Sequence, residues 1–120
     1  MIKSSKRKVK ALEKENLIIN YERGLMRAKI LGDIDHHSAK GVREKIDKAM
    51  LELSPRLVLL DLSAVEFMDS SGLGLILGRY NTATEICAEF KIYSPSSSVK
   101  RILELAGIER IIKIEGDIRV

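Results

Sequence analysis

A short apolar run, a serine-rich connection and a glycine-rich apolar segment together constrain the fold of this chain most strongly. Residues 56–62 read Arg-Leu-Val-Leu-Leu-Asp-Leu, a run typical of a strand buried on both faces. Residues 67–80 contain Asp-Ser-Ser-Gly-Leu-Gly and predict a helix that reaches to about Cys87. This order places Ser70 near a helix N-terminus at the carboxyl edge of a sheet. The unpaired N–H groups of a helix N-terminus favour anions and phosphates.

The rest of the chain also alternates strand and helix patterns. Strands are predicted at 17–21, 25–31, 57–62, 89–93 and 111–114, and further helices after Asp35 or Ser38 and after the turn at 94–98. The Arg23-Gly24 pair suits a tight hairpin turn between the first two strands. We therefore predict an α/β fold: a mixed sheet of four or five strands with helices packed around it.

Charge is distributed unevenly along the 120 residues. Residues 1–16 carry six basic and two acidic side chains, which accounts for the whole net charge of +4. We predict that this segment is a flexible extension and that residues 17–120 form one domain. The neutral remainder has no net attraction for nucleic acid, so no direct nucleic-acid partner is expected. A role of the basic leader in RNA or membrane contact is the weaker alternative.

Nothing in the composition indicates a membrane or secreted protein. No apolar run approaches the ~20 residues that span a bilayer, and the N-terminus lacks the apolar stretch of a signal peptide. The single cysteine, Cys87, allows no internal disulfide. These features predict a cytoplasmic protein without membrane contact.

Taken from the residues alone, Ser70 and its neighbours have several interpretations. A helix cap is favoured, because Asp and Ser are the commonest residues there. Gly72, Gly74 and Gly78 miss the dinucleotide fingerprint by one residue. Since glycine costs helix stability, the first two indicate a close approach by a neighbouring strand or a docking partner. A serine hydrolase is disfavoured because the first glycine of G-x-S-x-G is absent.

Two histidines and two aspartates at residues 33–37 raise the alternative of a metal site. Adjacent histidines on a helix point about 100° apart, so His36 and His37 cannot easily bind one ion. A capping carboxylate followed by exposed histidines is the better interpretation, and no metal is expected.

Four segments of the chain resemble the STAS domain family. The motif at 69–80 resembles its phosphorylation site, and Gly-Asp-Ile-Asp-His-His at 32–37 resembles its Gly-Glu-Leu-Asp-His-His. Residues 58–62 are similar to its central strand, and residues 99–103 with Gly107-Ile108 to its last helix and the exit from it. The resemblance covers about residues 17–115. Within the family it is strongest to the stage II sporulation anti-sigma factor antagonists.

This resemblance implies a non-enzymatic switch in sigma factor regulation. The unphosphorylated protein would bind an anti-sigma factor with serine kinase activity and free a sigma factor. Phosphorylation at Ser70, with Ser71 as the near alternative, would end binding, and a serine phosphatase would restore it. The alternative is a STAS signalling module of a different stress-response or scaffold assembly. No cofactor is expected beyond weak nucleotide binding near Ser70, and the free protein is expected to be a monomer.

The resemblance also implies a docking surface around Ser70. Asp69 would orient the Ser70 loop, Leu73 and Ile76 would offer apolar contact, and Asp35 would flank the surface. Asp33 stands where the family usually has Glu, a longer carboxylate. The implied partner-binding residues are Asp35, His36, Asp69, Ser71, Gly72, Leu73, Gly74 and Ile76.

Overall fold

A computed structural model describes residues 10–14 and 16–116, in which strands and helices alternate. The strands are β1 (Lys10–Lys14), β2 (Leu17–Glu22), β3 (Leu25–Ile30), β4 (Leu57–Asp61), β5 (Glu89–Tyr93) and β6 (Lys113–Glu115). The helices are α1 (His36–Leu53), α2 (Ser70–Glu85) and α3 (Ser97–Leu105), followed by a 3₁₀ turn at Ile108–Arg110. The predicted α/β class is confirmed.

The strands of the sheet lie side by side in chain order, β1 to β6. β1, β2 and β3 are antiparallel neighbours, whereas β3 to β6 pair in parallel. Alternate side chains of β2 to β5 join the inner faces of the helices in one largely aliphatic core. The sheet is therefore mixed, as predicted from the opening hairpin.

Strand β4 is buried on both faces, which confirms the prediction made from its continuous apolar run. Val58 and Leu60 are fully buried, and Leu59 on the opposite face is 8% exposed. Asp61 at its end is also buried, with Oδ1 accepting from Ser63 N–H at 2.9 Å and Oδ2 3.9 Å from Arg27 Nη1. A turn around the Asp61 carboxylate thus leads the chain out of the central strand.

The turn between β2 and β3 is the predicted two-residue hairpin. Arg23 and Gly24 both have positive φ, 54° and 86°, as a type I′ turn requires. A Cβ on Gly24 would lie 2.6 Å from Nε of Arg56, whose Nη2 donates to the Arg23 carbonyl at 3.1 Å. The start of β4 therefore braces the hairpin.

The number of strands exceeds the four or five predicted. Within the described residues the sheet has six, because Lys10–Lys14 pairs with β2. Lys10–Lys14, which was placed in the predicted flexible extension, is thus a strand of the sheet, whereas residues 1–9 and 15 lie outside the described residues. The last strand begins at Lys113 rather than Ile111, since the 3₁₀ turn precedes it.

Helices α1 and α2 pack against each other and share a buried ion pair. Nε of Arg79 lies 2.8 Å from Oδ1 of Asp47, without the alignment of a hydrogen bond. The Arg79 side chain is 7% exposed and that of Asp47 32%. Burial lowers the pKa of the Arg79 guanidinium, and Asp47 opposes this shift.

Among the described residues, no helix has the length and hydropathy needed to cross a membrane.

Candidate functional site

Three helices begin at one edge of the sheet. β3, β4 and β5 are parallel, and each leads into a helix: α1, α2 and α3. The connections after these strands, residues 31–35, 62–69 and 94–96, therefore lie at the same edge. Their helix N-termini supply unpaired N–H groups and partial positive charge. This is the edge at which α/β sheets commonly bind ligands.

Ser70 is the first residue of α2, and it is exposed. Asp69 precedes it as the N-cap, and its Oδ1 accepts a hydrogen bond from Ser71 N–H at 2.8 Å. The carboxylate is thus held toward the helix backbone, and within the described residues the Ser70 hydroxyl makes no hydrogen bond. Ser70 is consequently open to a modifying enzyme without loss of the helix cap. The prediction that Ser70 lies at a helix N-terminus is confirmed.

The loops that precede α1 and α2 are joined by backbone hydrogen bonds. Ile34 and Met68 form an isolated parallel bridge, in which Ile34 N–H donates to the Phe67 carbonyl at 3.0 Å. Asp69 N–H donates in turn to the Ile34 carbonyl at 3.2 Å. Both Ile34 and Met68 are buried, so apolar packing supports the bridge. The residue that precedes Ser70 is therefore held by the neighbouring loop.

Asp33 adds a side-chain bond between the same two loops. Its Oδ1 accepts from Phe67 N–H at 3.1 Å. The Asp33 side chain is one methylene group shorter than that of the glutamate usual in the family, yet its carboxylate reaches the loop before Ser70. Asp33 is not among the predicted partner-binding residues, because it differs from the glutamate of the family. Spacing along the chain does not show that residues 33 and 67 are neighbours.

The first turn of α3 supports the Ser70 loop. Ser98 Oγ donates to the Glu66 carbonyl at 3.2 Å. Ser96 caps α3 by accepting from Val99 N–H, also at 3.2 Å. The predicted cap of this helix by the turn at 94–98 is confirmed for Ser96, whereas Ser97 and Ser98 already belong to the helix.

Asp35 caps α1, the first of the two predicted alternatives. Its Oδ1 accepts from Ser38 N–H at 3.0 Å, while Asp35 N–H donates to Ser38 Oγ at 3.1 Å. The hydrogen bond from the Ser38 backbone is the largest cause that lowers the pKa of the exposed Asp35 carboxyl. A negative charge therefore remains at this end of α1, beside the Ser70 loop.

A basic groove of about 400 Å³ runs between α1 and α2 next to the serines. His36, Lys40 and Arg43 line one side, and Ser71 and Gly74 contribute to the other. No acidic side chain lines it, so it is suited to anionic groups. Weak nucleotide binding near Ser70 stays a prediction.

Among the described residues, no three side chains of His, Cys, Asp or Glu are placed to share a metal ion.

Two predicted partner-binding residues are buried and present no surface to a partner in this structure. Ile76 has no exposed surface and packs in the core. Gly72 is also buried, and a Cβ there would lie 2.8 Å from Sδ of Met68. This glycine makes room for an internal side chain, whereas the space around Gly74 is open.

The other predicted residues lie at or near the surface of the site. Leu73 is half-buried and packs partly on the core. Asp35, His36, Ser70 and Gly74 are exposed, and Asp69 and Ser71 are half-buried.

Phe67 was overlooked in the sequence. It lies in the loop that leads to Ser70, and it is 53% exposed although phenylalanine is usually buried. The available signal was a large aromatic residue next to the charged Glu66, after the buried strand had ended.

The fold and the site now define the class of protein. The model of the STAS domain matches residues 16–119. The chain belongs to the STAS domain family.

Its relatives narrow the class. The chain is 33% identical over 96 residues to the anti-sigma F factor antagonist of Paenibacillus polymyxa, covering 80% of this chain and 82% of that protein. It is 30% identical over 88 residues to the anti-sigma-B factor antagonist of Listeria monocytogenes, covering 72% and 75%.

Solved structures are similar in fold. The anti-sigma factor antagonist SpoIIAA in its unphosphorylated form has a TM-score of 0.67 at 21% identity, covering 89% of this chain and 87% of that one. The phosphorylated form of SpoIIAA, a Bacillus cell fate determinant, has a TM-score of 0.63 at 21% identity, covering 89% and 90%. The predicted STAS resemblance is confirmed.

Proposed function

We propose that this protein is an anti-sigma factor antagonist controlled by phosphorylation at Ser70. In its unphosphorylated form it binds an anti-sigma factor that carries serine kinase activity, and a sigma factor is released. The kinase then phosphorylates Ser70 and the complex dissociates. A serine phosphatase later removes the phosphate and restores the hydroxyl. The observation that carries the proposal is the exposed Ser70 hydroxyl at the first position of α2. The names of the relatives and the two forms of SpoIIAA support it.

The site offers a physical route from phosphorylation to partner release. A phosphate adds roughly −1.5 to −2 charges at pH 7. The α2 N-terminus offsets part of this charge within the protein, and Ser70 is exposed to solvent. A partner surface fitted to the bare hydroxyl meets new bulk and negative charge beside Asp69. Binding is lost while the domain stays folded.

In this cycle the protein is a substrate and supplies no catalytic group. The carboxylate nearest to Ser70 in sequence, Asp69, is engaged as a helix cap through its bond to Ser71 N–H. Asp61 is buried and bonded to its own turn. Both carboxylates thus have structural roles, which supports a switch rather than an enzyme.

The assignment of the acceptor is tested with two matched variants, Ser70→Ala and Ser71→Ala. Each is incubated with ATP and the anti-sigma kinase of the same genome, and phosphate is located by intact mass and peptide mapping. We expect Ser70→Ala to take up no phosphate and still bind the kinase. Ser71→Ala should be phosphorylated, since Ser71 contributes its backbone N–H to the Asp69 cap and keeps it as alanine. Phosphate on Ser70→Ala but not on Ser71→Ala would assign the switch to Ser71.

A second candidate is the same switch in a different signalling assembly. The relatives named for sigma F and sigma B are similar to this chain at 33% and 30% identity. The two identities are too similar to show whether the partner is an anti-sigma F factor or an anti-sigma-B factor. Parallel binding assays with an anti-sigma F factor and an anti-sigma-B factor discriminate them, because the physiological partner should bind more tightly.

A further inference from the structure

Phe67 combines exposure with a firmly held backbone. Its side chain is 53% exposed, and it stands in the loop between β4 and α2. Its N–H donates to Asp33 Oδ1 at 3.1 Å, and its carbonyl accepts from Ile34 N–H at 3.0 Å. The preceding carbonyl, of Glu66, accepts from Ser98 Oγ at 3.2 Å. The backbone on both sides of the exposed ring is therefore hydrogen-bonded to the loop before α1 and to the first turn of α3.

Its aromatic ring and its place in the loop before Ser70 distinguish Phe67 from the other exposed large apolar residues. Leu51, Leu77 and Leu105 lie on helices, and Ile111 lies between the 3₁₀ turn and β6. Single exposed apolar residues of that kind need no functional explanation. A rigid aromatic side chain on a fixed backbone loses little conformational freedom when a partner covers it. Phe67 is thus the described exposed apolar residue best prepared for binding.

Phe67 also lies close to the phosphorylation site. Ser70 is the third residue after Phe67, so their Cα atoms are at most about 11 Å apart. A standard protein interface buries about 800 Å² on each partner, equivalent to a disc of about 16 Å radius. A kinase interface of this size centred on the Ser70 hydroxyl would therefore extend to Phe67.

We infer that Phe67 is an apolar anchor by which the serine kinase recognises this protein, an inference that rests on the proposed function. The occupant is a pocket of the kinase next to its nucleotide site. Two exposed acidic residues lie next to Phe67: Glu66 precedes it in the chain, and Asp33 accepts a hydrogen bond from its N–H. The pocket is accordingly apolar at its centre and free of acidic groups at its edge, since like charges across an interface disfavour binding.

The test measures steady-state phosphorylation of Ser70 and kinase affinity for the full chain and three variants. Phe67→Ala should raise KM and Kd about tenfold with little change in kcat, because an anchor contributes to binding before and during phosphoryl transfer. Phe67→Leu should lie between alanine and wild type. Leu105→Ala removes a side chain that is 78% exposed at the far end of α3, and it should behave as wild type.

Thermal unfolding of each variant shows whether the fold is kept, and Phe67→Leu retains an apolar side chain if alanine does not fold. Unchanged KM and Kd in Phe67→Ala or in Phe67→Leu relative to Leu105→Ala would overturn the anchor and leave the proposed function intact. Wild-type protein that takes up no phosphate on Ser70 from an active kinase would overturn the proposed function and the anchor together.

Discussion

At the scale of single residues, the site depends on carboxylates that hold backbone rather than on carboxylates that react. Asp35 and Asp69 cap α1 and α2, and Asp33 joins the loops that precede those helices. Each accepts a hydrogen bond from a backbone N–H. Such bonds to a charged acceptor are stronger than those between neutral groups. The Ser70 loop therefore has a defined shape before a partner arrives.

Asp33 allows this role to be tested with a matched pair of variants. Asp33→Ala removes the acceptor for Phe67 N–H, and we expect the free energy of unfolding to fall by about 1 kcal/mol. Asp33→Asn keeps an Oδ1 at the same place and should lose much less. The kcat/KM for Ser70 phosphorylation should follow the same order, because the loop is less well positioned without the bond.

Thermal unfolding and kinase assays on both variants check this prediction. An asparagine variant as impaired as the alanine variant would show that the negative charge of Asp33 matters rather than its hydrogen bond. Full phosphorylation of Asp33→Ala would show that the bond does not position Ser70.

At the scale of elements, the packing of α2 explains which of the predicted site residues are exposed and which are buried. This helix is apolar on several sides, so its sequence does not mark a solvent face. Arg79 is buried against Asp47 of α1, and Gly72, Ile76 and Ala83 share its face. Periodicity predicted the helix and the position of Ser70 at its start. It could not show which face is buried, because that depends on a partner in α1.

The Arg79–Asp47 pair predicts unequal effects of removing either side chain. Asp47→Ala leaves a buried guanidinium without its counter-charge and should cost about 2–3 kcal/mol of unfolding free energy. Arg79→Met removes the charge and keeps apolar volume, and Asp47 is 32% exposed and can turn to water. Arg79→Met should therefore lower the free energy of unfolding by less than Asp47→Ala does.

Chemical denaturation of the two variants measures this difference. Lys48→Ala is the control, because its pair with Glu52 is exposed on both sides and should contribute no more than about 0.5 kcal/mol. A larger loss for Arg79→Met than for Asp47→Ala would contradict the account of a buried charge held by Asp47.

At the scale of the whole molecule, the sheet brings three helix N-termini to one edge and leaves Ser70 exposed among them. The order of strands and helices could be predicted, since β4 and α2 have distinct apolar patterns. The first strand could not, because Lys-Ala-Leu-Glu-Lys carries charge at most positions and its strand state depends on pairing with β2. The contacts of Asp33 and Ser98 with the Ser70 loop were equally hidden, since they join residues more than 30 positions apart.

The central claim is that a phosphate on Ser70 ends partner binding without unfolding the domain. The most direct test compares the Kd of the phosphorylated and unphosphorylated protein for the anti-sigma kinase, together with the unfolding free energy of both forms. We predict that the phosphorylated protein binds about 100-fold more weakly and that its stability changes by less than about 1 kcal/mol. Equal affinity of the two forms, or loss of binding accompanied by unfolding, would contradict the account.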